Sequence, residues 1–388
     1  MEEMNELFYR NPYQREFTAV VERCVEGKDG FEIILSDTTF YPEGGGQPGD
    51  TGVIDDVRVL DTKRRDGAVV HYTDRPLPEG AQVHGVLNWE RRFDHMQHHS
   101  GEHIMSGLIH KKFGYDNVGF HMSEEMVTID FNGLMTLEDA LEIEKEANRV
   151  VFENKPTHIW FPCKEEMGTL EYRSKKELSG AVRIVEFAGA DICACCGTHV
   201  ERTGEIGLIK VLSLTNHKGG VRIQIICGRK ALAHYDILQS MNTEIGNLFS
   251  AKPYDTLDAV HHCLEEQESL KQKINELNKR YYHMKAEMLP RKKLFITVED
   301  QMNTVEIRKF CEYLVDQDKG DMCIVLAPKA EGGFNYVIGS SVVDVREINK
   351  AWIKQLNGKG GGKAEMVQGS YQAGIEEIKA VMDAWERP

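Results

Sequence analysis

The chain has 388 residues, 41% hydrophobic and 28% charged, which places it among globular proteins of two to four domains. Its 62 acidic against 47 basic residues give a formal charge of −15, and that number alone argues against a nucleic-acid binder. No apolar run is long enough to span a bilayer, and nine scattered cysteines do not suggest a disulfide framework.

The N-terminal stretch MEEMNELFYRNPY lacks a basic start followed by an apolar core, so no signal peptide and a cytoplasmic location are expected. Residues 1–90 read as a small β-barrel. Thr18–Val25 and Phe31–Leu35 alternate apolar and polar residues around the turn Gly27-Lys28-Asp29-Gly30, and Val57–Leu60, Ala68–Tyr72 and Val83–Leu87 continue the pattern. Within it lies FYPEGGGQPGDTG, Phe40–Gly52, whose glycines permit positive φ and close backbone approach to a ligand. A tight turn between strands is the competing reading.

Residues 91–240 switch to mixed periodicity. Arg91–Gly114 and Leu137–Asn154 read as helices, with strand-like pieces at His158–Phe161, Val182–Phe187, Ile206–Leu212 and Gly220–Ile226. The mixture predicts an α+β fold with helices on an antiparallel sheet. Residues 241–290 are expected to be a long helical linker. Leu257, Val260, Leu264, Ile274, Leu277, Tyr281, Met284 and Met288 step by threes and fours, which predicts one long helix, a possible coiled coil and a homodimer contact. Residues 291–388 read as an α/β domain carrying NGKGGGKAEMVQGS, Asn357–Ser370, a glycine-rich loop in which Lys359 and Lys363 suit phosphate or RNA backbone. Basic residues also group at Lys63–Arg65, Arg91–Arg92, Arg173–Lys176 and Arg291–Lys293, which leaves room for a local positive groove.

Two short stretches carry the chemistry. MQHHSGEHIMSG, Met96–Gly107, sets His99 and His103 four residues apart on one helical face. CACCGTH, Cys193–His199, sets Cys195 and His199 at the same spacing. Two imidazoles from one element, with a thiolate and an imidazole from another, suit a tetrahedral Zn²⁺. The CxxC of Cys193 and Cys196, and the extra histidines His95 and His98, leave other ligand sets open. So does the choice between a closed structural site and one that admits water or substrate. Glu102 lies beside His103 and could accept a proton from water.

The motifs HHSGEH and CCGTH resemble those of the alanyl-tRNA synthetase editing domain and its free-standing AlaX-type relatives. FYPEGGGQPGDTG, HVERTGEIGLIKV (His199–Val211) and KGGVRIQII (Lys218–Ile226) extend the likeness. Asn357–Ser370 is similar to the glycine-rich signature of the C-terminal domain shared with DHH phosphoesterases. The resemblance implies a zinc-dependent trans-editing hydrolase for serine, and secondarily glycine, wrongly esterified to alanine tRNA. It assigns the metal to His99, His103, Cys195 and His199; beside it, Ser100 and Glu102 are read as catalytic, and Gly44, Gly45, Gly46, Gln47 and Arg222 as substrate-binding. Lys359 and Lys363 fall to tRNA. Ser100 and Glu102 stand where the family commonly has Thr and Gln. The alternatives are an RNA-binding protein with structural zinc and a zinc hydrolase of small amino-acid esters.

Overall fold

Alternating apolar residues close the first sheet on itself. A short helix, α1 (Leu7–Arg10), leads into β1 (Glu16–Gly27), β2 (Gly30–Leu35), β3 (Gly52–Ile54), β4 (Val57–Arg65), β5 (Ala68–Thr73) and β6 (Gln82–Leu87), which form a barrel of order β1-β2-β5-β4-β3-β6. The computed structural model describes residues 6–27, 30–174 and 182–385. Lys28 and Asp29 of the expected turn, Lys175 and Lys176 of one basic run, and Met1–Asn5 of the N-terminal stretch lie outside the described residues. Phe17, Ala19, Val21, Ile33, Val59, Val83 and Leu87 point inward, as period-2 alternation requires.

His71 is also fully buried in the barrel, between the Ile33 carbonyl at 3.1 Å and Thr38 Oγ1 at 2.9 Å. Burial pulls its pKa down to about 4. The folded state therefore holds a neutral imidazole that the unfolded chain would protonate below its usual 6.5. Stability is present above that value and lost as pH falls from about 6.5 to about 4, by roughly 3 kcal/mol. Denaturation midpoints measured across this window should fall less steeply in His71→Gln than in the parent; identical slopes would remove His71 from the account.

The chain then enters α2 (Trp89–Phe113), capped by the Asn88 side chain and ended by Gly114 at φ 71°. The next elements are β7 (Asn117–Met122), β8 (Val127–Phe131), α3 (Leu137–Phe152), β9 (Thr157–Trp160), α4 (Lys164–Met167), β10 (Ile184–Phe187), β11 (Asp191–Ala194), β12 (Ile209–His217), β13 (Gly220–Cys227) and α5 (Gly228–Phe249). Two antiparallel sheets result, β12-β13-β8-β7 and β11-β10-β9. Ile104, Met105 and Leu108 of α2 and Ile143 and Ala147 of α3 share a core with Val221, Ile223 and Ile225 of β13. The strand expected at Ile206–Leu212 begins only at Ile209, because Thr203–Ile206 closes as a 3₁₀ turn before Gly207 at φ 77°. Helix α5 crosses position 240, where a domain boundary was expected.

Two units, Met1–Ile245 and Gly246–Pro388, divide the chain. The second begins with α6 (Thr256–Glu287), of which only Thr256, Tyr282 and Ala286 are buried. Strands β14 (Lys292–Val298), β15 (Gly320–Pro328), β16 (Phe334–Gly339), β17 (Lys359–Gly362) and β18 (Met366–Tyr371) form a mixed sheet of order β14-β15-β16-β18-β17, with helices α7 (Thr304–Asp316), α8 (Val345–Gln355) and α9 (Ile375–Asp383). The glycine-rich stretch expected to be a loop is instead the β17–β18 hairpin. Its glycines have a packing reason: a Cβ at Gly360 or Gly369 would lie 2.4 or 2.6 Å from the Tyr336 hydroxyl, and one at Gly358 2.6 Å from the Tyr371 ring. Tyr336 and Tyr371 stack beneath them with centroids 4.0 Å apart. No helix among the described residues is long and apolar enough to cross a membrane.

Candidate metal centre

Helix α2 is polar in sequence yet buried on nearly every face, since the sheets and α3 pack around it and the loop between β2 and β3 reaches it through Gln47 and Asp50. Close approach depends on glycine: a Cβ at Gly101 would lie 2.4 Å from Cys227 Sγ, and one at Gly107 2.3 Å from the Ala190 carbonyl. The first buries the helix against β13, and the second brings it to the start of β11. His99 and His103, one turn apart, thereby meet the loop that leaves β11.

That loop carries Cys195 and His199. The ligand atoms of His99, His103, Cys195 and His199 all lie within 4.8 Å of one another. Each imidazole is held by its Nδ1. His99 faces Gln47 Oε1 at 2.9 Å, His103 faces Asp191 Oδ2 at 2.8 Å, and His199 faces Ser100 Oγ at 3.4 Å. Each Nε2 is thus turned toward the cluster, the arrangement by which outer partners fix the tautomer of a metal-ligating histidine. His199 Nε2 is buried without a hydrogen-bond partner, and Cys195 Sγ lies 3.4 Å from His99 Nε2. The donor set fits a borderline-soft dication such as Zn²⁺.

Electrostatics agree. Burial pushes the Cys195 thiol up, but the three histidines outweigh it and hold the thiol well below its ordinary value. Burial pulls His103 down, yet Cys195 and the Asp191 hydrogen bond raise it to about 9, while burial leaves His199 at about 3. An anionic sulfur among imidazoles is the environment a cation would complete.

The surrounding contacts lock the loop. Gln47 Nε2 donates to Thr198 Oγ1 at 2.8 Å, and Gln47 Oε1 accepts from Thr198 N–H at 3.1 Å. Arg183 Nη1 donates to the carbonyls of Cys195 and Gly197 at 2.8 and 3.1 Å. Gly197 admits His99, since a Cβ there would lie 2.1 Å from the imidazole Cε1. Asp191 also binds Arg173, at 2.7 and 2.9 Å. Burial raises the Asp191 carboxyl, but His103 and Arg173 hold it below the usual carboxylate range.

The cluster opens on a cleft of about 910 Å³, whose lining includes His99, His103 and Cys195 together with Gly45, Gly46, Phe120 and Arg173. Gly44 and Gln47 exchange both backbone hydrogen bonds, so Gly45 and Gly46, at φ 60° and 86°, form a two-residue turn over it. Among the described residues neither of their N–H groups has a partner. Gly46 is required there, because a Cβ would lie 2.3 Å from the Phe120 ring.

The other sequence-derived residues fall elsewhere. Ser100 is fully buried against His199, accepts from Val200 N–H at 3.2 Å, and does not line the cleft. Glu102, also buried, accepts from Ser106 Oγ at 2.7 Å and Asn117 Nδ2 at 2.5 Å. Gln47 is sealed among His99 and Thr198. Arg222 faces away from the core on β13, between inward-pointing Val221 and Ile223, and binds Asp130 at 2.7 and 2.8 Å. Lys359 is exposed on β17, and Lys363 lines a second cleft of about 740 Å³ with Arg308 and Ser341. Cys193, Asp191 and His103 form a second group of donor atoms, on the Nδ1 side of His103. Cys196 is exposed in the cleft, and His95 and His98 are buried outside both groups. Asp191 and Arg183 carry no motif spacing, and only their nearness to the second metal-type stretch could have flagged them; Arg173 stood out in sequence only as the first residue of a basic run.

Three family models match separate parts of the chain. Residues 5–91 match tRNA synthetases class II (A), residues 182–224 match the Threonyl and Alanyl tRNA synthetase second additional domain, and residues 291–387 match the DHHA1 domain. With the barrel and the cluster beside it, these define a synthetase-related domain set built around a metal-type site. The chain is 30% identical over 387 residues to Alanyl-tRNA editing protein AlaX-L of Pyrococcus horikoshii, covering 96% of both chains. It therefore belongs to the AlaX-L family of alanyl-tRNA editing proteins. It is also 32% identical to Alanine--tRNA ligase of Thermofilum pendens, over 97% of this chain but only 42% of the ligase. A solved C-Ala domain of Aquifex aeolicus alanyl-tRNA synthetase covers 23% of this chain and 87% of its own, at 28% identity and a TM-score of 0.21.

Proposed function

We propose that the protein is a trans-editing hydrolase that cleaves the ester between serine, or glycine, and the 3′ end of alanine tRNA, with Zn²⁺ as its cofactor. One observation carries this reading: three of the four donor residues, His99, His103 and Cys195, line a cleft large enough for an aminoacyl nucleoside, while His199 is buried. A purely structural site would have no use for that opening. Family membership supports an ester hydrolase with tRNA as its partner.

His99, His103, Cys195 and His199 would hold the ion, which when bound supplies Lewis acidity beside the ester. The chain's own residues do the rest. Gln47, Asp191 and Ser100 orient the three imidazoles. The free N–H groups of Gly45 and Gly46 point from a rigid turn and suit the terminal ribose or a developing oxyanion. Ser100 and Glu102 act through His199 and Asn117 as positioning residues. Hydrolysis of an ester that is already activated then needs little beyond a held substrate and an ordered water. Serine differs from alanine by one hydroxyl, which an apolar synthesis site rejects poorly, so a second hydrolytic site meets a physical need.

The test is direct. Zinc-loaded protein should release serine from seryl-tRNA(Ala), act on glycyl-tRNA(Ala), and spare alanyl-tRNA(Ala). No deacylation above buffer overturns the reading.

Helix α6 supports a further element, a homodimer. Leu257, Leu264, Leu270, Ile274, Leu277 and Met284 are all exposed. Asp258, Glu265, Glu266 and Glu268 outnumber Lys271 in its first half, whereas Lys273, Lys279, Arg280 and Lys285 outnumber Glu276 and Glu287 in the second. Two copies crossing antiparallel would cover the apolar stripe and match charge. Light scattering at micromolar concentration should give twice the chain mass; a monomer contradicts the pairing.

A further inference from the structure

A protein of net charge −15 needs a local device to hold an RNA end. Among the described residues that line the metal-site cleft, Arg173 carries the permanent positive charge. Its guanidinium presents two edges. Nε and Nη2 donate to Asp191 at 2.7 and 2.9 Å, and Asp191 Oδ2 in turn accepts from His103 Nδ1 at 2.8 Å. The other edge ends in Nη1, which makes no hydrogen bond to a described residue and is not among the sealed polar atoms of the chain. The side chain is only 12% exposed. Its backbone is fixed as well, for Arg173 N–H donates to the Ile192 carbonyl at 2.8 Å and its carbonyl accepts from Ala194 N–H at 2.9 Å. The free edge is thus held ready on the cleft wall.

We propose that the Nη1 edge of Arg173 binds the phosphodiester preceding the terminal adenosine of the aminoacylated RNA, and that Asp191 ties this contact to the orientation of His103. The inference rests on the aminoacyl-tRNA reading and adds a subsite to it. In an aminoacyl ester the amino acid's own carboxylate has been consumed, so the anion left near the cleft is a phosphate. A planar guanidinium with one edge already locked by a carboxylate offers its second edge to a phosphate at little entropic cost. Arg173 stands two hydrogen bonds from the metal-facing nitrogen of His103, as a group one sugar removed from the ester should.

Two substrates separate this role from a merely structural one: seryl-tRNA(Ala), and 3′-seryl-adenosine, which lacks the phosphate. Arg173→Gln should cut the preference in kcat/KM for the tRNA at least ten-fold and lower the magnitude of the log KM against log salt slope by about 0.7, the value for one single-strand phosphate. Equal loss on both substrates overturns the proposal. A second measurement needs no variant. The wild-type protein should bind adenosine 5′-monophosphate at least ten-fold more tightly than adenosine in calorimetry, and equal binding overturns the contact. The nucleotide comparison does not depend on turnover, so failure of hydrolysis would sink the editing reading while the phosphate contact is still decided.

Discussion

Cys195→Ala is expected to lose the bound metal and at least about a thousand-fold of the deacylation rate, the few kcal/mol that charge stabilisation at a bound cation supplies. It should nonetheless stay folded. The loop around it is held without the ion, by Arg183 on the carbonyls of Cys195 and Gly197 and by Gln47 on Thr198. Metal analysis, turnover of seryl-tRNA(Ala) and a melting curve on the same sample decide the matter. A collapsed melt with metal loss would make the cluster a folding staple and return the protein to the structural-zinc class. Full activity would remove Cys195 from the site.

Arg92→Ala should be the most destabilising single change in the first unit, by about 3–5 kcal/mol. Arg92 is fully buried. Its Nε donates to Asp50 Oδ2 at 2.8 Å, with a second donation from Nη2, and the guanidinium also reaches the carbonyls of Pro12 at 2.9 Å and Thr39 at 2.6 Å. Asp50 in turn accepts from Tyr41 N–H at 2.6 Å and closes the loop that carries Gly44–Gln47. Truncation leaves a buried carboxylate and two carbonyls without their partner. Denaturant midpoints measure the loss, and metal affinity should fall with it, because the same loop presents Gln47 to His99. The double variant Arg92→Met/Asp50→Leu should recover only part of the stability, since it removes the stranded carboxylate but leaves the Pro12 and Thr39 carbonyls and the Tyr41 N–H without partners. A single variant within about 1 kcal/mol of the parent would show that the pair is solvated in solution.

The structure assigns different work to residues that sequence treats alike. Ser100 and Glu102 adjoin candidate ligand histidines, His99 and His103, and invite catalytic readings. A helix turn of 3.6 residues rotates each about 100° from its ligand, into the core toward His199 and Asn117. The glycine run at Gly44–Gly46 and that at Gly358–Gly362 look equivalent in composition. One is a two-residue turn over the candidate metal-site cleft, and the other lies in a hairpin packed on stacked tyrosines. The shape of the neighbour decides which, and glycine does not name its neighbour.

What the sequence determined by itself is whatever local periodicity controls. Period-2 alternation wrote five of the six barrel strands, the three-residue β3 being too short to show it, and spacing of three and four wrote α2, α3 and α6. The i, i+4 spacing also put His99 and His103 on one face before any tertiary contact was known. What only the tertiary structure decided is which distant groups meet. Gln47 reaches His99 across 52 positions, Asp191 reaches His103 across 88, and Gln47 reaches Thr198 across 151. It also separated Cys193, Cys195 and Cys196, which composition cannot rank, by the direction each takes as β11 ends. Side-chain chemistry is fixed residue by residue, but the distance between two side chains is set by the path of all the backbone between them and by the packing that closes it.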